Sequence, residues 1–124
     1  MPNITRILTN ICSSDLSASR QFYTTLFNFE IAYDSDWFVQ LNLTDSPLEL
    51  GIIANDHEIV PEAAQGNPSG LYITFVVDDV ETVLNIAKAN GFDIVQEPKD
   101  TFYGQRRMLL NDPDGVVVDV SSLI

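Results

Sequence analysis

The chain has one cysteine, Cys12, and one histidine, His57. A single cysteine excludes an internal disulfide and any paired-cysteine metal site, which leaves Cys12 to act as a small buried hydrophobe. No histidine neighbours a serine or Cys12, and neither a nucleophile elbow nor a phosphate-cradling glycine loop is present. Basic residues are scarce too: six Lys and Arg stand against 18 Asp and Glu, for a formal charge of -12. Such a field repels phosphate backbones and anionic lipid, so neither nucleic acid nor a membrane surface is an expected partner. The acidity fits a solvated, dispersed surface or a cationic ligand. No apolar run approaches the ~20 residues that span a bilayer. The start, Met1-Pro2-Asn3-Ile4-Thr5-Arg6, lacks the apolar core of a secretion signal, and a cytoplasmic protein is expected.

What is present is a globular balance, with 45% hydrophobic and 19% charged residues over 124 positions. That length suits one domain spanning the chain. Within it lies a repeat. The segment from Ile7 to Leu16 can be laid over Leu71 to Val80 at a constant offset, and both read as a strand running into a helix.

In the second copy Val80, Val83, Leu84 and Ala87 make one apolar helical stripe, with Asp78 or Asp79 as its cap and Gly91 as its stop. In the first, Leu16, Ser19, Phe22, Tyr23, Leu26 and Phe27 form the matching stripe after Ser14 or Asp15, and Asn28 stands where Gly91 does. Phe29-Glu30-Ile31 and Phe92-Asp93-Ile94 follow the two helices. Two further strand-like stretches come next in each copy: Trp37 to Leu43 and Leu48 to Ile53, then Gln105 to Leu110 and Val116 to Ser121. Asp112-Pro113-Asp114-Gly115 marks a turn. Each copy therefore reads βαβββ, module one over about 4–53 and module two over 71–124. The connector, 54–70, is long for a loop; it is idle, holds a short helix near Pro61-Glu62-Ala63-Ala64, or lets one copy pair with a second chain.

These features resemble the glyoxalase/bleomycin-resistance/dioxygenase, or vicinal-oxygen-chelate, superfamily. The pieces that carry the resemblance are Asp15-Leu16-Ser17-Ala18-Ser19-Arg20-Gln21-Phe22-Tyr23, Phe75-Val76-Val77-Asp78-Asp79-Val80 and Asp112-Pro113-Asp114-Gly115-Val116-Val117-Val118-Asp119. The resemblance implies an α+β fold in which two βαβββ modules form curved mixed sheets around a cleft. It also implies a homodimer, and often a divalent metal held by histidine, glutamine and glutamate.

The positions to which the resemblance assigns metal ligands are Leu8 and Tyr72 on the first strands, and Asp119 and Glu49 on the last. Neither Leu8 nor Tyr72 is a usual donor for such an ion, and Asn10, two residues along the same strand face, rescues one position at best. No metal ligand and no cofactor are expected, with a divalent metal as the alternative. His57, between Asp56 and Glu58, reads as a solvated loop residue.

Strand alternation places Leu8, Asn10 and Cys12 on the cleft side with Tyr72, Thr74 and Val76, while Ile11 and Phe75 turn to the helices. Glu49 and Asp119 join the cleft, and either needs a cationic ligand, a hydrogen-bond donor or water there. Arg106 and Arg107 point to opposite faces, so one alone enters; Arg106 is carried in the candidate set, with the choice open between them. Trp37, Phe38 and Tyr103 complete the set as stacking surfaces or as plain core. The leading expectation is a metal-free protein that sequesters an apolar, aromatic or cationic small molecule. The alternatives are a divalent-metal lyase, isomerase or dioxygenase working around Glu49, Tyr72 and Asp119, and an interaction module whose cleft is filled by side chains.

Overall fold

The computed structural model of the chain describes residues 2 to 124. Module one contains β1 (Asn10–Ser13), α1 (Leu16–Leu26), β2 (Glu30–Asp34), β3 (Phe38–Asn42) and β4 (Glu49–Ala54). Module two contains β5 (Tyr72–Val76), α2 (Val80–Ala89), β6 (Asp93–Asp100), β7 (Gln105–Asn111) and β8 (Val117–Leu123). One turn of 3-10 helix, Glu62–Ala64, interrupts the connector. The strands form two separate mixed sheets, ordered β1-β4-β3-β2 and β5-β8-β7-β6. In each the first strand runs parallel to the fourth and the other pairings are antiparallel. The fold is the expected α+β pair of βαβββ modules. β1 and β5 each pair on one side only, so each sheet has a free edge there.

Both helices begin on an aspartate. Asp15 accepts from the backbone N–H of Ala18 at 3.1 Å and Asp79 from that of Glu81 at 3.0 Å, each satisfying an amide that the first helical turn leaves free. Gly91, at φ +67, ends α2 as only a glycine does without strain. Asn28 does not copy it. The first helix ends at Phe27, which is extended (φ -126, ψ 161), and its ring stacks on Phe75 at 4.2 Å. β6 runs well past the expected Phe92-Asp93-Ile94. It includes Pro98 because it is an edge strand, where a missing N–H is tolerated, and its register slips twice along the way.

A single apolar core lies between the helices and one face of each sheet. Ile11, Val39, Leu41, Leu50 and Ile52 contribute from the first sheet, and Met108, Leu110, Val118 and Val120 from the second. The modules meet through aromatic contacts: Phe22 packs on Phe92 at 4.9 Å, while Tyr23 and Phe29 approach Phe75 at 6.1 and 6.3 Å. With one face of each sheet committed to this core, the opposite, helix-free faces remain for function. Among the described residues no helix is long and apolar enough to cross a membrane.

Candidate functional site

On the first sheet the helix-free face carries Asn10, Cys12, Phe38, Gln40, Glu49 and Gly51, since alternation sends Ile11, Val39, Leu41, Leu50 and Ile52 inward. Gly51 makes room here: a β-carbon on it would run into the Asn10 side-chain oxygen and come within 3.1 Å of the Phe38 ring. Asn10 and Phe38 therefore close over the strand at this point. Glu49 is fully engaged. Arg6, from the arm that precedes β1, grips it with Nε at 2.8 Å and Nη2 at 2.6 Å, and Gln40 donates to it at 2.8 Å. The hydrogen bond from Arg6 holds the Glu49 carboxyl below its usual range, against the opposing effect of burial. Leu8 is half-buried just ahead of β1.

The second sheet presents Tyr72, Thr74, Val76, Arg107, Leu109, Asp119 and Ser121 on its helix-free face. Asp119 is buried and accepts from Thr74 Oγ1 at 2.9 Å and from Ser121 Oγ at 2.8 Å. Arg107 Nε lies 3.2 Å from Asp119 Oδ1. The contact is an ion pair at long hydrogen-bond range, and Nε is buried without a well-aligned hydrogen bond. The guanidinium also sits 5.9 Å from the centre of the Tyr72 ring.

Of the expected residues, Asn10, Phe38 and Glu49 thus share one face and Tyr72, Thr74 and Asp119 another. Arg106 joins neither. It points to the helix side, toward Asp100 at 2.8 Å and Glu81 at 3.7 Å, and Arg107 is the arginine that lies among the candidates. Trp37 stacks on His57 at 4.3 Å with the rings 19° from parallel and lies 5.7 Å from the Phe38 ring; His57 is packed on an indole and not fully solvated. Tyr103 lies in the β6–β7 turn against Phe102. A groove of about 810 Å³ runs along the free edge of β5, where Glu49 and Leu48 of module one face Thr74 and Val76 of module two. A second, of about 730 Å³, lies under the arm that carries Arg6.

A family model, Glyoxalase/Bleomycin resistance protein/Dioxygenase superfamily, matches residues 4–120. The chain belongs to that superfamily. Solved structures agree with it. A glyoxalase/bleomycin resistance protein/dioxygenase family enzyme from Burkholderia phytofirmans PsJN superposes with a TM-score of 0.79 at 25% identity, over 94% of this chain and 97% of that one. A hypothetical protein from S. aureus does so with a TM-score of 0.79 at 25% identity, over 98% and 95%. The lactoylglutathione lyase of Agrobacterium tumefaciens shares the fold at a TM-score of 0.74 and 18% identity, over 98% and 97%. No curated protein matches the chain.

Superfamily membership raises the question of a divalent metal, on which the donor chemistry of the four positions bears. Leu8 offers no donor atom. Tyr72 lies beside a cation. Glu49 and Asp119 have both carboxylate oxygens engaged by side-chain donors. Among the described residues no three His, Cys, Asp or Glu side chains converge as a metal site requires. Within one chain these four positions offer a divalent ion no set of free donors.

Sequence reasoning missed Arg6, Gln40 and Ser121. Nothing local signals Arg6, whose partner is 43 residues away. Ser121 follows from alternation, since it shares a face with Asp119 two residues earlier.

Proposed function

We propose that this member of the superfamily is a metal-independent small-molecule-binding protein of the sequestering, resistance kind, which takes an apolar or aromatic compound on its helix-free sheet faces. The observation that carries this reading is the state of the four positions where the resemblance looks for a metal: two lack a usual donor, and the two carboxylates are already matched by arginines and hydroxyl or amide donors. An open surface supports binding over a filled interaction module, since Tyr72 is 60% and Val76 65% exposed. The free edge of β1, with Ile7 exposed beside it, suits a second copy of the chain, and the working unit on this reading is a homodimer that leaves Tyr72 open. With Glu49 and Asp119 engaged inside the chain, aromatic character rather than positive charge is what the surface selects.

The test joins two measurements on protein purified without chelator: elemental analysis, and a thermal-shift screen with divalent metals, cationic antibiotics and small aromatic metabolites. Sub-stoichiometric metal, with stabilisation by an organic compound alone, supports the proposal. Stoichiometric metal at or near Glu49 or Asp119 overturns it in favour of a lyase, isomerase or dioxygenase. Sedimentation analysis checks the dimer, and a monomer at all concentrations removes that part of the reading.

A further inference from the structure

We propose that Arg107 is an anion anchor and that the ligand is an aromatic compound bearing a carboxylate or a similarly shaped anionic group. This rests on the small-molecule-binding reading and sharpens it, because that reading does not choose between a neutral and an anionic ligand.

The first support is an account of donors. Arg6 hydrogen-bonds to Glu49, Arg20 to Asp34 and Arg106 to Asp100, at 2.6 to 2.8 Å. Arg107 alone among the arginines of the described residues makes no short, well-aligned side-chain hydrogen bond to the protein; its nearest partner, Asp119, stands 3.2 Å from Nε. That Nε is buried. A guanidinium carries five N–H donors in a planar fork whose shape matches a carboxylate. With Nε turned to Asp119 and no protein acceptor on its terminal nitrogens among the described residues, the exposed end of the fork is free to take an anionic group.

The second support is the way Asp119 is used. Its oxygens accept from Thr74 and Ser121, and it faces Arg107 as an ion pair, 3.2 Å from Nε. Asp119 therefore fixes the position of the guanidinium without consuming its terminal nitrogens. At 5% exposure, Asp119 is also out of reach of a cationic ligand, whereas the Arg107 side chain is 28% exposed. A cation approaching this face meets the arginine first.

The third support is Tyr72. Its ring lies 5.9 Å from the guanidinium carbon and is 60% exposed, so a flat ring laid on the tyrosine brings a substituent on its rim toward Arg107. The overall charge of -12 opposes an anion at long range. At physiological salt that repulsion is screened over about 8 Å, while a guanidinium–carboxylate contact forms at roughly 3 Å. The local cation decides.

Three probes with one ring and three charges test this by calorimetry at pH 7: 1-naphthoate, 1-naphthamide and 1-naphthylmethylamine. The expected result is that wild-type protein binds naphthoate about tenfold more tightly than the amide. Arg107→Gln should erase that preference, bringing naphthoate and amide to equal affinity. Arg107→Lys keeps the charge beside Asp119 and loses the fork, so the preference should shrink without vanishing; it carries the test if Arg107→Gln does not fold. Equal affinity for naphthoate and amide, a preference for the amine, or a preference that survives in the variants overturns the anchor and leaves the small-molecule reading standing. Failure of all three probes to bind folded wild-type protein overturns both.

Discussion

The phenol of Tyr23 donates a hydrogen bond to Asp112 at 2.6 Å, joining the helix of the first module to the β7–β8 turn of the second. Both groups are buried. Asp112 also accepts from the backbone N–H groups of Asp114 and Val116 at 2.8 Å, and its neighbour Asp114 accepts from Ser19 Oγ and from the Ser14 N–H. The turn motif is therefore a clasp between modules as well as a reversal of the chain. Tyr23→Phe should cost about 1–3 kcal/mol, because it leaves a buried carboxylate short of one donor. Urea unfolding measures it, and an unchanged midpoint would show that the clasp contributes nothing.

The same pair predicts a loss of stability at alkaline pH. Burial pushes the Tyr23 phenol far above its usual value, with the negative charge of Asp112 and the hydrogen bond to it acting in the same direction. The native protein then keeps a proton that the unfolded chain releases. Its stabilising contribution is complete below about pH 10 and falls away as pH rises beyond that. Asp112 is raised as well, chiefly by burial, so its own contribution is complete in acid and falls as pH climbs through its folded value. Denaturant midpoints followed from pH 6 to 11 should fall steeply above pH 10 in the wild type and less steeply in Tyr23→Phe. Parallel profiles would remove Tyr23 as the cause.

The duplication was readable in the sequence because each module repeats the same local signals: an apolar strand, an aspartate cap and a helical stripe. Asp15 and Asp79 cap as their positions require. Alternation also sorted Asn10 and Cys12 from Ile11 correctly, since β1 has a clear change of polarity along it. It failed to choose between Arg106 and Arg107. Met108, Leu109 and Leu110 form an unbroken apolar run, which hides the period of two, and only the burial of Met108 and Leu110 shows that Arg107 takes the other face. Arg6 was illegible for a different reason: a long-range ion pair leaves no pattern in neighbouring residues.

Phe75 is the aromatic hinge point between modules. It stacks on Phe27 at 4.2 Å and meets Phe29 edge-on at 6.3 Å, so truncation removes two contacts that join this module to the first. Phe75→Ala should cost about 3 kcal/mol, the lower end for such a change because the ring is only half-buried. A loss of cooperativity in the unfolding transition is expected alongside the lower midpoint, as the modules lose their common core. A cost below about 1 kcal/mol would place the coupling elsewhere.

The grip of Arg6 on Glu49 separates two explanations for the poor fit to a metal. Arg6→Ala frees the carboxylate, whose pKa should return upward toward its usual range; carboxyl chemical shifts followed through an acid titration report this. Because the folded Glu49 is shifted down, its contribution to stability is present above the unfolded value and disappears as pH falls. That contribution should be small, since Arg6 is 58% exposed and such pairs are screened by solvent. If an engaged carboxylate were all that excludes a metal, Arg6→Ala would gain thermal stability with nickel or zinc. The expected result is no gain, because Leu8 still has no donor atom and Asp119 remains held by Thr74 and Ser121 on the other sheet. A shift of several degrees with either metal would mean that the arginine alone keeps the ion out.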